Sequence, residues 1–194
     1  MDQSRRKTAD ELYARNKAHD DALADRLLRF RSVDPPVAEL LGVLVRARNA
    51  QHILEIGTSS GYSTIWLADS AEATGGSVLS VDTDAGRTEF ARKNLESAGV
   101  LDRVTLRTED AASTLSSSRN GYWDFIFLDA ERPAYPEYLP HLVRGLSSHG
   151  VLAIDNVISH QHELIEFTRM IEAESRLTQT VVAIGAGLRV AVRT

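Results

Sequence analysis

The chain has 194 residues, 43% hydrophobic and 25% charged, which is enough for one well-buried core and short for two domains. A formal charge of -5 and a pI near 5.7 leave no basic surplus to hold a phosphate backbone, which argues against a nucleic-acid partner. With no cysteine, no apolar leader and no apolar run near the roughly 20 residues that cross a bilayer, the expectation is a cytoplasmic protein without disulfides, thiolate metal sites or a membrane span.

In chain order, the first 48 residues read as helical. Leu23, Leu27 and Phe30 share a helical face, and Asp34-Pro35-Pro36 opens a second helix carrying Val37, Leu40, Leu41 and Leu44. Such helices would cover a sheet or a partner subunit. From about residue 50, short β-rich runs alternate with segments of helical period: His52–Ile56, Ser77–Val81, Arg103–Arg107, Asp124–Leu128 and Gly150–Ile154. Between them, Ala91, Leu95 and Ala98 mark a helix ending at Gly99, Ser113–Ser118 reads as a short helix and its exit, and Leu139, Leu142, Val143 and Leu146 repeat at helical spacing. At the end, Leu177–Ile184 and Gly187–Arg193 flank Gly185-Ala186 as a hairpin. Strands joined by helices pair in parallel through right-handed crossovers. The pattern therefore predicts a single α/β domain over 1–194 with a doubly wound, mostly parallel seven-stranded sheet, N-terminal helices over 1–48 and a C-terminal antiparallel hairpin.

Ligands of such sheets bind beyond the carboxyl ends of the strands. Those ends are acidic here: Glu55 closes the first strand before Gly57-Thr58-Ser59-Ser60-Gly61, Asp82 follows the second, Glu109-Asp110 the third, Asp129 the fourth and Asp155 the fifth. An acidic rim repels a pyrophosphate and favours a cation, a divalent metal or a ligand rich in hydroxyl donors. Any one of these residues is equally at home as turn chemistry or a helix cap, and the glycine turn alone suits many folds.

Together, the run Ile53–Ser63, then Val81-Asp82, Asp124–Ala130, Tyr135-Pro-Glu-Tyr138 and Gly150–Val157 resembles the cation-dependent O-methyltransferases of the catechol and caffeoyl-CoA type, bacterial members included. The likeness runs from Val33 to the Gly185–Leu188 turn. It implies the Rossmann-like fold of the class I methyltransferases and S-adenosylmethionine as cofactor. It also implies methyl transfer to a small hydroxylated, catechol-like or phenolic acceptor, and frequent homodimers. By the same resemblance the Val33 backbone, Gly57 and Ser63 contact the methionine part. Glu55, Thr58, Ser59 and Tyr62 belong to the same pocket, Asp82 holds the ribose and Asp110-Ala111 meets the adenine edge. Asp129, also beside the cofactor, would bind a divalent cation with Asp155 and Asn156. Three oxygen ligands suit magnesium or calcium better than a softer metal.

Three residues after Asp129, where the resemblance implies a lysine base, stands Arg132. Arginine stays protonated and cannot accept the proton, although it can stabilise an oxyanion. The only lysines, Lys7, Lys17 and Lys93, lie outside these motifs. His160 is the alternative base, with His162 behind it; both also read as a solvated helix start. The segment after Val157 looks shortened relative to the resemblance, which implies an open acceptor pocket or one completed by a second subunit. Tyr135, Tyr138 and Trp123 could face an aromatic acceptor or simply pack.

Three rival readings stand beside this one. Gly57-x-Ser59-x-Gly61, followed by Asp155 and His160, also spells the nucleophile elbow of a serine esterase. Asp82 sits at the ribose distance of a nicotinamide dehydrogenase, but Ser59 and Tyr62 occupy positions where that fingerprint needs glycine. A binding protein that has kept the cofactor pocket and lost catalysis would also account for Arg132.

Overall fold

Strand β1 (His52–Ile56) is an inner strand, third in spatial order, of a seven-stranded sheet in the computed structural model, which describes residues 1–194. Its neighbours are β2 (Ser77–Asp82) and β4 (Trp123–Leu128), both parallel to it. Beyond them lie β3 (Val104–Thr108) on one side and β5 (Leu146–Ile154) on the other, followed by the antiparallel pair β7 (Leu188–Arg193) and β6 (Leu177–Val182). The spatial order β3-β2-β1-β4-β5-β7-β6 reverses between β1 and β4, the place where a doubly wound sheet opens a crevice.

Period-two alternation divides the core into two layers. Ile53, Phe125, Phe127 and Val151 face α1 (Gln3–Asp21), α2 (Pro35–Arg48), α3 (Tyr62–Thr74) and α4 (Ala85–Ser97). Leu54, Ile56, Leu128 and Ile154 face α5 (Ala111–Ser117), α6 (Tyr135–Gly145) and α7 (Ile165–Glu172). Each inner strand is buried on both faces, so its sequence is almost continuously apolar. No helix is long and apolar enough to cross a membrane.

The expected strands and hairpin are present, with boundaries moved by a few residues; Leu146, read as the end of a helical repeat, instead opens β5. The N-terminal stretch needs a larger correction. Helix α1 stops at Asp21, and Leu23, Leu27 and Phe30 share no helical face. Local carboxylate capping overrides the apolar spacing there. The Asp20 carboxylate accepts the backbone N–H groups of Phe30 at 2.7 Å and Arg31 at 2.8 Å. Asp25 caps a one-turn 3-10 helix, Arg26–Leu28, by accepting from Leu27 N at 2.9 Å. Leu27 and Leu28 point outward, and residues 22–34 form an extended strap over the crevice. It is tied down where Arg87 donates to the carbonyls of Leu27 and Arg29 and where Ser59 Oγ donates to that of Phe30.

Helices α1, α2 and α3 meet around the buried Asp69. Its carboxylate faces Arg5 at 2.6 Å, Arg46 at 2.6 Å and the Met1 amine at 3.3 Å. These cations hold the Asp69 carboxyl below its usual range against the opposing effect of burial. Removing a buried carboxylate leaves its partners uncompensated. Asp69→Ala is therefore expected to lower unfolding free energy by about 2–3 kcal/mol in urea titration; a loss below about 0.5 kcal/mol would show that the cations are satisfied by water instead.

Candidate active site

The crevice encloses about 500 Å³. Its floor is the turn after β1. Gly57 has φ +106°, and a Cβ there would overlap the carbonyl oxygen of Asp129. Only glycine lets the exits of β1 and β4 approach so closely. The link is completed by Gly57 N donating to Val81 O at 2.9 Å and Asp129 N donating to Ile56 O at 2.9 Å.

Asp82, at the end of β2, is aimed by two backbone donors, Ser59 N at 2.8 Å and Asp84 N at 3.0 Å. Asp110 caps α5 through Ala112 N at 2.7 Å, which sets Asp110 and Ala111 beside Asp82 on the crevice wall. Across the floor, Asp129 ends β4 and Asp155 follows β5, with Asn156 beyond it at φ +66°, a left-handed conformation that asparagine tolerates. The Asn156 amide bridges the two carboxylates, donating to Asp129 Oδ1 at 2.9 Å and Asp155 Oδ2 at 3.2 Å. Asp155 Oδ1 is buried with no partner. Burial raises both carboxyls well above their ordinary range, and at Asp155 repulsion from Asp129 adds to it.

The anticipated residues divide into two groups. Val33, Gly57, Ser59, Asp82, Asp110, Ala111, Asp129, Arg132, Asp155, Asn156 and His160 line the crevice together. Glu55, Thr58, Tyr62 and Ser63 do not; they are buried behind the floor. Glu55 shares the face of Ile53 and so points beneath α3, where Ser63 Oγ, Thr64 Oγ1 and Ser80 Oγ donate to it at 2.6, 2.5 and 2.6 Å. Tyr62 packs on Tyr13 with ring centroids 5.3 Å apart. Ser59 Oγ is occupied by the Phe30 carbonyl at 2.6 Å, with no histidine on it, which leaves the esterase reading without a nucleophile–base pair.

Arg132 lies in a 3-10 turn, 3% exposed, its Nε donating to Glu163 Oε2 at 2.6 Å and its Nη2 buried without a partner. His160 shares a 2.7 Å hydrogen bond with Ser159 through Nδ1. Burial, then the nearby Arg132, pull its pKa below the usual histidine value, which favours the neutral ring. Tyr135 is a packing residue whose hydroxyl clasps the Ala130 backbone, and Trp123 lies away from the crevice. His162 is exposed and outside it. Arg26, Phe30, Arg31 and Arg87 also line the crevice. The sequence reading missed the strap residues among them, Arg26, Phe30 and Arg31, because the strap was taken for helix, although the carboxylates Asp20 and Asp25 were a local signal against that period.

A doubly wound domain with a carboxylate after β2 and an oxygen-rich set after β4 and β5 is that of a nucleoside-cofactor enzyme class. The profile of the O-methyltransferase family matches residues 20–194, and the chain belongs to that family. It is 37% identical over 142 residues to a catechol O-methyltransferase of Niastella koreensis, covering 71% of this chain and 63% of the relative, so it spans less than two thirds of that protein's length. The O-methyltransferase from Bacillus cereus in complex with SAH superposes with TM-score 0.80 at 30% identity, covering 97% of this chain and 91% of that one. TomG, an O-methyltransferase from Streptomyces achromogenes involved in tomaymycin synthesis, in complex with SAM, superposes with TM-score 0.82 at 27% identity, covering 100% and 91%.

Burial raises the Glu55 carboxyl from 4.5 to about 7, outweighing its three hydroxyl donors. A carboxyl that binds its proton more tightly when folded stabilises the fold below the unfolded pKa and loses that contribution as pH rises through the folded one. Wild type should thus lose stability from Glu55 between pH 4.5 and about 7. Glu55→Gln, which stays neutral, should flatten that part of the profile in urea midpoints measured across the window; an unchanged slope would contradict it.

Proposed function

We propose that this protein binds S-adenosylmethionine in the crevice and transfers its methyl group to a hydroxyl of a small catechol-like or phenolic acceptor, assisted by a divalent cation. The observation that carries the reading is the convergence in one crevice of the fixed Asp82 carboxylate with the Asp129–Asp155–Asn156 set. The Bacillus cereus and Streptomyces relatives, solved with SAH and SAM, and the catechol O-methyltransferase of Niastella support it.

In this reading Asp82 accepts the ribose hydroxyl protons, Asp110 and Ala111 meet the adenine edge, and Gly57 with the Val33 backbone flanks the methionine part. Glu55, Thr58, Tyr62 and Ser63 act from behind, holding the floor in shape. The set after β4 and β5 fits a hard dication: no third carboxylate or histidine joins the two aspartates, yet Asp155 Oδ1 lacks a partner and turning the Asn156 amide presents a third oxygen. A cation bound there would lower the pKa of an acceptor hydroxyl and orient it towards the methyl group. Arg132 cannot take the proton but places a fixed positive charge beside Asp129 and Asp155. With Nδ1–H donating to Ser159, His160 has a free Nε2 to receive it. Homodimer formation belongs to the same proposal, and sedimentation tests it.

Calorimetric titration with S-adenosylmethionine, followed by a catechol screen with and without magnesium, tests the whole reading; no cofactor binding would sink it. Asp82→Ala should weaken the cofactor by about tenfold to a hundredfold, as loss of charge-assisted hydrogen bonds does. Asp155→Ala should abolish any magnesium response while leaving cofactor binding measurable. Arg132→Lys should raise activity at neutral pH if the missing base limits the rate. Tight cofactor binding without turnover of any acceptor would select the rival of a non-catalytic binding protein, which the locked Arg132–Glu163 pair favours.

A further inference from the structure

The rim that the sequence presents as acidic carries both signs of charge. Its cofactor side holds Asp82 and Asp110, whereas the end near Asp129, Asp155 and His160 is lined by three guanidinium groups: Arg26 and Arg31 from the strap and Arg132 from the loop after β4. Their partners are two carboxylates: Arg31 meets Glu131 at 2.6 Å, while Glu163 serves both Arg132 at 2.6 Å and Arg26 at 3.7 Å. Asp34, Asp129 and Asp155 line the same crevice, the last two being the set proposed to hold the dication. The buried Arg132 keeps Nη2 unpartnered, and a half-satisfied buried cation draws negative charge towards it. Glu131 and Glu163 are 57% and 43% exposed, and ion pairs at such positions exchange partners at little cost.

Arg31 is singled out further. It has φ +53°, a conformation rare for arginine, and its N–H is clamped by Asp20 at 2.8 Å. Arg87 plays another part, since its guanidinium is spent on the carbonyls of Leu27 and Arg29.

We infer that the acceptor carries a fixed anionic group, a carboxylate or a phosphate, recognised by Arg31 and Arg26 at the crevice mouth with Arg132 behind them. The inference rests on the proposed methyl transfer, dication included, and narrows its substrate class: with Asp129 and Asp155 balanced by that dication, a cationic amine would meet the guanidinium groups as like charge.

The test compares catechol, protocatechuate, dopamine and caffeoyl coenzyme A as acceptors, with S-adenosylmethionine and magnesium. The expected result is a kcat/KM for protocatechuate or the thioester at least about tenfold above catechol, with dopamine lowest. Protocatechuate leading assigns the anion to a carboxylate, and the thioester leading assigns it to the carrier's phosphates. Arg31→Gln should shrink the preference through KM, Arg31→Lys should restore much of it, and calorimetric affinity for S-adenosylmethionine serves as the folding control. Dopamine or catechol equalling the anionic acceptors would overturn the inference, as would a preference unchanged in both Arg31→Gln and Arg26→Gln. Catechol turnover without anion preference defeats this inference alone; no turnover of any acceptor defeats the methyl-transfer reading with it.

Discussion

The crevice depends on the contact between Gly57 and the backbone of Asp129, where a missing Cβ lets two strand exits lie against each other. Because β1 and β4 leave the sheet in opposite directions of strand order, their exits frame the opening. Drawing them together sets Asp82 and Asp129 on one rim and leaves Asp155, one strand farther, within reach of the Asn156 bridge. Any side chain at position 57 would push β4's exit outward and open the set.

Behind that contact stands a second constraint. Glu55 is fully buried beneath α3 and is held by hydroxyls from two elements, Ser63 and Thr64 of α3 and Ser80 of β2. A buried carboxyl is costly unless hydrogen-bonded, so these hydroxyls fix the angle at which α3 leaves the glycine turn. That turn in turn presents Ser59 N to Asp82. Stability and site geometry are joined through one acidic residue that never reaches the crevice.

Charge is divided along the crevice instead of spread evenly. The acidic strand ends come from the sheet, whose sequence positions are fixed by the βα rhythm. Two of the basic residues, Arg26 and Arg31, arrive on a strap whose course is set by side-chain capping at Asp20 and Asp25 and by anchors from Arg87 and Ser59. The side of Asp82 and Asp110 suits a hydroxyl-rich, positively charged ligand, and the guanidinium groups at the other end change what can sit beside it.

Much of this was legible in the chain. Continuous apolar runs marked doubly buried strands, and their spacing marked the crossover helices, because burial and hydrogen bonding act locally along each element. The strand-end carboxylates followed from the same rhythm. The side on which Glu55 lies was also written in its alternation with Ile53, although its position beside the glycine turn suggested the crevice. What only the tertiary structure decided is the strap: Leu23, Leu27 and Phe30 keep helical spacing, yet Asp20 reaches across to Phe30 and Arg31 and ends the helix. Such a hydrogen bond joins residues that periodicity treats as independent, and the placement of Arg26 and Arg31 over the crevice hangs on it.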